Sequence, residues 1–239
     1  AALSYAKDNK FQAIFPCLRD TKKYGNYTDN IFRKLIIDKD MPPNYLWYSQ
    51  RGFSYTPIPK SNSSILIYNC YLQSEKYFSH NRKLILETFS ASKEDENYLK
   101  EKYGNILNCN KTISCHIRRG DYISLKEIHT PLCESNYYND ALDNFEDGIL
   151  FVFSDDIKWC KENFKTDNRE MVFVEEKDYL ELYLMSMCND NIIANSTFSW
   201  WGAWLNKNKN KKVIAPKEWF GVKQTESDED LIPEKWIRV

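Results

Sequence analysis

Apolar runs of a few residues punctuate the second half of the chain, each followed by a stretch whose apolar positions fall three and four apart. Thr112 to Arg118 is a short β-favouring run, and Ile149 to Phe153 (ILFVF) is apolar throughout, as expected of a strand buried on both faces. Met171 to Val174, Asn191 to Ala194 and Lys212 to Ala215 repeat that signal. Between them, Ser135–Phe145 with Ser135 as N-cap, Asp156–Phe164, Asp178–Cys188 and Thr197–Leu205 read as helices. Strand and helix alternate with short joints, which predicts right-handed βαβ units and an open parallel sheet. The first half is less regular. Ala1 to Asn9 reads as the end of a helix, Phe11–Phe15 and Ser64–Tyr68 as strands, and Glu75–Phe89 and Lys93–Lys102 as helices. Pro42, Pro43, Pro57 and Pro59 mark a loop-rich stretch between them. Two α/β halves are predicted, residues 1–105 and 106–239.

Composition narrows the class. The 239 residues are 42% hydrophobic and 28% charged, so a packed core is expected. Lys and Arg number 33 against 34 Asp and Glu, a formal charge of −1 that provides no global field to hold nucleic acid. No stretch reaches the ~20 apolar residues of a membrane span, and no signal peptide is visible. The chain starts Ala1-Ala2-Leu3 without Met, so an upstream segment is expected to be missing. Seven cysteines without CxxC or zinc spacing favour reduced, packed thiols and a cytoplasmic location, free or peripheral to a membrane. Four N-x-S/T sequons, at Asn26, Asn62, Asn110 and Asn195, are expected by chance in a chain this rich in Asn.

In open parallel sheets, ligands sit at the carboxyl ends of strands, and three such ends carry chemistry. The first is Ser114-Cys115-His116-Ile117-Arg118-Arg119-Gly120-Asp121-Tyr122. Period-two alternation puts His116 and Arg118 on one face and Ile113, Cys115 and Ile117 on the other, with Arg119 turned away. A guanidinium there suits phosphate, which its planar fork grips bidentately. A surface salt-bridge cluster, or an exposed Arg119-Gly120-Asp121 (RGD) adhesion tripeptide, remain alternatives. The second end is Ser154-Asp155-Asp156. Asp156 suits the N-cap of the following helix, leaving Asp155 free to accept from guanine N–H groups or ribose hydroxyls. The third, Asn195-Ser196-Thr197-Phe198-Ser199, sets hydroxyls and backbone N–H groups at a helix N-terminus, either as a cap or as an anion site. The three ends together fit a nucleoside diphosphate. Metal chemistry has one weak candidate: Asp38-Lys39-Asp40 has the D-x-D form of metal-dependent glycosyltransferases. There is no P-loop, G-x-G-x-x-G or G-x-S-x-G.

HIRRGDY, FVFSDD and NSTFSWWGAW, in that order and spacing, resemble the inverting α-1,2-fucosyltransferases of glycosyltransferase family 11, and Tyr71–Phe78 (YLQSEKYF) is similar to a further family stretch. The resemblance implies a GT-B fold of two Rossmann-like halves, residues 1–105 on the acceptor side and 106–239 binding GDP-fucose. It implies transfer of L-fucose to a sugar hydroxyl, O2 of galactose in the family, on an oligosaccharide or glycan acceptor, without a metal on the diphosphate. Carried over, His116 contacts the nucleotide, Arg118 the β-phosphate with Arg119 beside it, and Asp155 with Ser154 the guanine. Asn195, Ser196, Thr197, Phe198 and Ser199 wrap the diphosphate. Arg118, Asp121 and Glu127 are the expected catalytic residues, with Glu127 favoured over His129 as base and Asp121 alternatively orienting an arginine. The family's glycine-rich G-G-x-G-N-Q turn is absent before Ala1, which is attributed to truncation. The rival readings are a metal-dependent transferase using Asp38 and Asp40, and a non-catalytic sugar-binding or RGD module.

Overall fold

The computed structural model describes residues 1–15, 27–38, 43–166 and 168–239, with the side chain of Cys109 left out. These residues gather into two units: 1–90 with 226–233, and 91–225 with 234–239. The dividing point is residue 90, and the boundary expected at 105 falls inside a helix of the second unit.

In the first unit, helix α1 (Ala2–Asp8) buries Ser4 and Ala6. Strands β1 (Leu46–Tyr48) and β2 (Ile65–Ile67) pair in parallel, Leu46 opposite Ile65. Among the described residues they are this unit's only sheet, and Phe11–Phe15 is not a strand. The helix expected over Glu75–Phe89 is broken into single turns at Glu75–Tyr77 and Ser79–Asn81, followed by α2 (Arg82–Thr88). Side chains cause the break. Ser74 caps the first turn by accepting from the Lys76 N–H at 3.3 Å. The Asn81 amide donates to Ser4 Oγ at 2.9 Å and Asp8 Oδ1 at 2.7 Å, tying the start of α2 to α1.

The second unit follows the predicted rhythm. Helix α3 (Lys93–Cys109) starts at Ser92, whose Oγ accepts from the Asp95 N–H at 3.0 Å, and acidic Glu94, Asp95 and Glu96 suit its positive end. It runs seven residues beyond the expected Lys102. Then come β3 (Thr112–Ile117), α4 (Tyr137–Leu142), β4 (Ile149–Ser154), α5 (Ile157–Asn163) and β5 (Met171–Phe173). Helix α6 (Asp178–Met187), β6 (Asp190–Ile192), α7 (Thr197–Leu205), β7 (Val213–Ala215) and β8 (Ile237–Arg238) complete it. All six strands are parallel, in the order β5-β4-β3-β6-β7-β8. Ser135 is not the N-cap of α4. Asn136 holds that place, and Ser135 Oγ accepts the Tyr137 N–H at 3.3 Å.

The strand pattern sorts the two faces. Ile113, Cys115, Ile117, Leu150 and Val152 form a core with Tyr137, Tyr138 and Leu142 of α4 and Cys160 of α5. On the other face, Phe151 meets Tyr103 of α3 at 5.9 Å between ring centres, and Asn191 donates to Ser114 Oγ at 2.6 Å and to the Met185 carbonyl of α6. Helices thus cover both faces, which is why the central strands are apolar throughout. Among the described residues, no helix is long and apolar enough to cross a membrane, and Cys70, Cys115, Cys133, Cys160 and Cys188 are free thiols.

Candidate active site

At the carboxyl end of β3 the two arginines part as the strand period predicts. Arg118 Nη1 pairs with Asp155 Oδ2 at 2.6 Å, and Nη2 donates to Asp121 Oδ1 at 2.5 Å. Its guanidinium lies 5.1 Å from the centre of the Tyr122 ring and is 24% exposed. A guanidinium carries five N–H donors, so donors remain for a ligand while two carboxylates set its plane. Arg119 turns to the opposite side. Its guanidinium covers the Trp159 ring at 3.6 Å, a cation–π contact, and its Nε donates to Asp156 Oδ2 at 3.2 Å.

The acidic pair at the end of β4 divides its work too. Asp156 caps α5 by accepting from the Trp159 N–H at 3.3 Å, and its own N–H donates to Ser154 Oγ at 3.0 Å, so Ser154 is a turn residue here. Asp155 is not free, contrary to expectation. One oxygen holds Arg118 and the other accepts the Arg119 backbone N–H at 2.9 Å.

Gly120, which no sequence signal marked, makes this pairing possible. A Cβ there would lie 2.1 Å from Asp155 Oδ2 and 3.9 Å from the Arg118 guanidinium carbon. Within the RGD spelling, Arg119 lies on Trp159 and Asp121 holds Arg118, so the tripeptide is not presented as a free loop.

His116 is 4% exposed and its ring packs edge-on against Phe198 at 5.5 Å. Burial, and then the neighbouring Arg118 charge, push its pKa down to about 3, so the ring is neutral at physiological pH. Among the described residues, Nδ1 of His116 has no hydrogen-bond partner.

Beyond Gly120 the chain makes a single helical turn, Gly120–Ile123, and lies against a later loop. Tyr122 stacks flat on His129, with ring centres 3.8 Å apart at 3°, and its hydroxyl donates to the Asn195 carbonyl at 3.2 Å. Burial lowers the pKa of His129. Glu127 is exposed and pairs with Lys223 Nζ at 2.5 Å.

The segment before α7 is built largely for structure. Asn195 donates to the Thr130 and Trp219 carbonyls at 3.0 and 3.1 Å, clasping two loops. Ser196 is the N-cap and accepts from the Phe198 N–H at 3.4 Å. Ser199 is buried, accepting from the Ala194 N–H at 3.2 Å and donating to the Ser196 carbonyl. Thr197 is exposed and Phe198 half-buried, so these two face outward. Of the three tryptophans expected to pack in the core, Trp200 and Trp204 are buried and Trp201 is half-buried.

The structure therefore brings His116, Arg118, Asp121, Asp155 and Phe198 together at one sheet edge, with Arg119 backing it. Tyr122 and Trp159 join them; as ordinary aromatics near the arginines they carried no signal of their own. Among the described residues, no group of three His, Cys, Asp or Glu side chains is arranged to hold a metal ion. Asp40 of the D-x-D lies outside the described residues.

The sequence profile of glycosyl transferase family 11 matches residues 10–239. An α-1,2-colitosyltransferase of Escherichia coli is 37% identical over 181 residues, 71% of this chain and 61% of that protein. The O-antigen biosynthesis glycosyltransferase WbnK of Escherichia coli is 36% identical over 183 residues, 71% of this chain and 59% of that protein. Galactoside α-(1,2)-fucosyltransferase 2 of Mus musculus is 27% identical over 173 residues, 66% of this chain and 48% of that protein. The chain thus spans about three fifths of the length of the two bacterial relatives. Among solved structures, the fucosyltransferase NodZ from Bradyrhizobium has a similar fold, with a TM-score of 0.53 at 12% identity over 84% of both chains. That likeness bears on architecture alone, which is of the GT-B type. On the profile match and the bacterial relatives, the chain belongs to glycosyl transferase family 11.

Proposed function

We propose that this chain carries the donor site of an inverting fucosyltransferase, which moves L-fucose from GDP-β-L-fucose to O2 of a galactose on a glycan acceptor. The observation that carries the reading is Arg118, held between Asp155 and Asp121 at the carboxyl end of β3 with donors to spare.

In the proposed step the acceptor oxygen attacks fucose C1 while the C1–O bond to the β-phosphate breaks. Negative charge builds on the departing diphosphate. A guanidinium fixed in advance stabilises that charge more in the transition state than in the ground state, which is what lowers a barrier. Asp155 is a positioning residue: it sets the plane of Arg118 and anchors the backbone at Arg119. The N-terminus of α7, with Thr197 and Phe198 outward, offers N–H groups and the positive end of a helix to the same diphosphate. Neutral His116 against Phe198 supplies a flat wall without charge. Guanidinium and helix together serve where a metal serves elsewhere, so no metal is required. The acceptor proton goes to Glu127. Of the two acids following the arginines, Asp121 is bound to Arg118, whereas Glu127 pairs with an exposed lysine, a pairing of small worth.

The test is transfer from GDP-fucose to a panel of galactosides in excess EDTA, with linkage and anomeric form read by NMR. An α-1,2-linked product formed one-for-one with GDP is expected. GDP-colitose belongs in the donor panel, since one bacterial relative is a colitosyltransferase. Activity that needs a divalent cation would favour the reading built on Asp38 and Asp40, and GDP-fucose left intact with every acceptor would favour a binding module.

A further inference from the structure

The two carboxylates that hold Arg118 leave its guanidinium one motion. Asp155 takes Nη1 and Asp121 takes Nη2. Both contacts lie at the edge of the guanidinium plane, and two points define only an axis, so the plane can still tilt about it. A planar fork that tilts loses its match to the oxygens it serves, because N–H···O bonds weaken steeply as they bend.

Tyr122 supplies a third contact, off that axis. The single turn Gly120–Ile123 carries Asp121 and Tyr122 side by side, so one short element presents both a carboxylate and a ring to the same guanidinium. The guanidinium carbon lies over the ring, 5.1 Å from its centre. The ring is itself held on two sides. His129 lies flat on it with centres 3.8 Å apart at 3°, which is van der Waals contact, so that face is closed and Arg118 takes the other. The Tyr122 hydroxyl donates to the Asn195 carbonyl at 3.2 Å, and the Asn195 amide clasps the Thr130 and Trp219 carbonyls. His129 is fixed in turn: its N–H donates to the Leu125 carbonyl at 2.9 Å, and it forms an antiparallel bridge with Phe220. The stack Arg118–Tyr122–His129 thus rests on three loops that the regular elements do not tie together.

We propose that Tyr122, backed by His129, is a positioning residue for the transfer reaction: it fixes the tilt of the Arg118 guanidinium toward the departing diphosphate. This role presupposes the proposed function above, in which Arg118 stabilises the leaving group. Neither side chain moves a proton or touches the reacting atoms. What each position needs is a flat ring, not the phenol oxygen or the imidazole nitrogens.

A double-mutant cycle in kcat for fucosyl transfer, with Kd for GDP measured alongside, isolates the coupling between ring and guanidinium. Tyr122→Leu in the parent should lower kcat about tenfold or more and GDP affinity by less than about threefold, since misaligned donors are felt most in the transition state. In an Arg118→Lys background, whose ammonium has no plane to tilt, the same change should lower kcat by less than about threefold. Tyr122→Phe and His129→Phe keep a flat ring and should retain most of the parent's turnover, whereas His129→Ala should follow Tyr122→Leu in direction. No loss from Tyr122→Leu in the parent, equal losses in the two backgrounds, or a loss in Tyr122→Phe as large as in Tyr122→Leu overturns the positioning role and leaves the leaving-group reading standing. Parental turnover in Arg118→Lys, or no transfer by the parent, overturns both. Should Tyr122→Leu fold poorly, His129→Ala and His129→Phe decide in the same cycle: equal losses in the two variants, or no loss in either, overturns the stack.

Discussion

Arg118 and Arg119 are adjacent in sequence and opposite in use, and the smallest side chain in the molecule keeps them so. Gly120→Ala would drive a methyl group to 2.1 Å from Asp155 Oδ2. The carboxylate must then leave Arg118, while little of the core is touched. Turnover should fall by about ten- to a hundredfold with the melting temperature changed by only a few degrees, a split read by steady-state kinetics beside thermal unfolding. Asp155→Asn should act on the same geometry, lowering kcat more than it weakens GDP; a variant whose only change is in GDP affinity would return Asp155 to base reading. His116 gives a pH signature. Unfolded, its ring titrates near the ordinary value of about 6.5; folded, it resists protonation down to about 3. The unfolded chain therefore takes up the proton first. Stability contributed by this residue is intact above about 6.5 and is lost as pH falls toward about 3, by at most about 1.4 kcal/mol per pH unit. Urea unfolding of the parent and His116→Gln at neutral and mildly acid pH should show a shallower loss in the variant, and equal slopes would contradict the buried neutral ring.

Elements with strong one-dimensional signals were legible from sequence, and elements held by tertiary pairing were not. The run Ile149–Phe153 announced β4 because a strand buried on both faces needs no polar side, and Thr197–Leu205 fell on α7 with the same ends. Leu46–Tyr48 and Ile237–Arg238 escaped notice because strands of two or three residues exist only through their partners β2 and β7. Glu75–Phe89 looked helical by spacing alone, since nothing local reveals that Asn81 will bind α1. The site shows the same division. The three strand ends marked the sheet edge where these side chains gather, but which aspartate holds which arginine depends on the turn after Ile117. Likewise the hydroxyls before α7 pointed to an anion grip, yet Ser199 faces inward. Ser199→Ala should therefore cost about 1–3 kcal/mol of stability, leaving the Ala194 N–H without its acceptor, at unchanged KM for GDP-fucose. Thr197→Ala should do the reverse, with stability kept and KM raised modestly. Chemical denaturation and donor titration of the two variants separate these outcomes.

In the whole molecule, the residues proposed for the donor lie in the second unit, within 91–225. The near-neutral charge of the chain matters at this scale: affinity for a diphosphate must come from a few placed groups and not from a general field. Local charge is no more generous, because Asp121, Asp155 and Asp156 outnumber the two arginines they hold. Placement is therefore what Arg118 contributes, and placement is what a lysine in its position would lose, since an ammonium keeps the charge without the planar fork. The most direct measurement is kcat for fucosyl transfer by a folded Arg118→Lys chain, taken beside its dissociation constant for GDP. The prediction is a loss of at least about a hundredfold in kcat, on the order of 3 kcal/mol, with GDP affinity reduced much less. Turnover near that of the parent would contradict the leaving-group role and return Arg118 to an ordinary ion pair at a strand end.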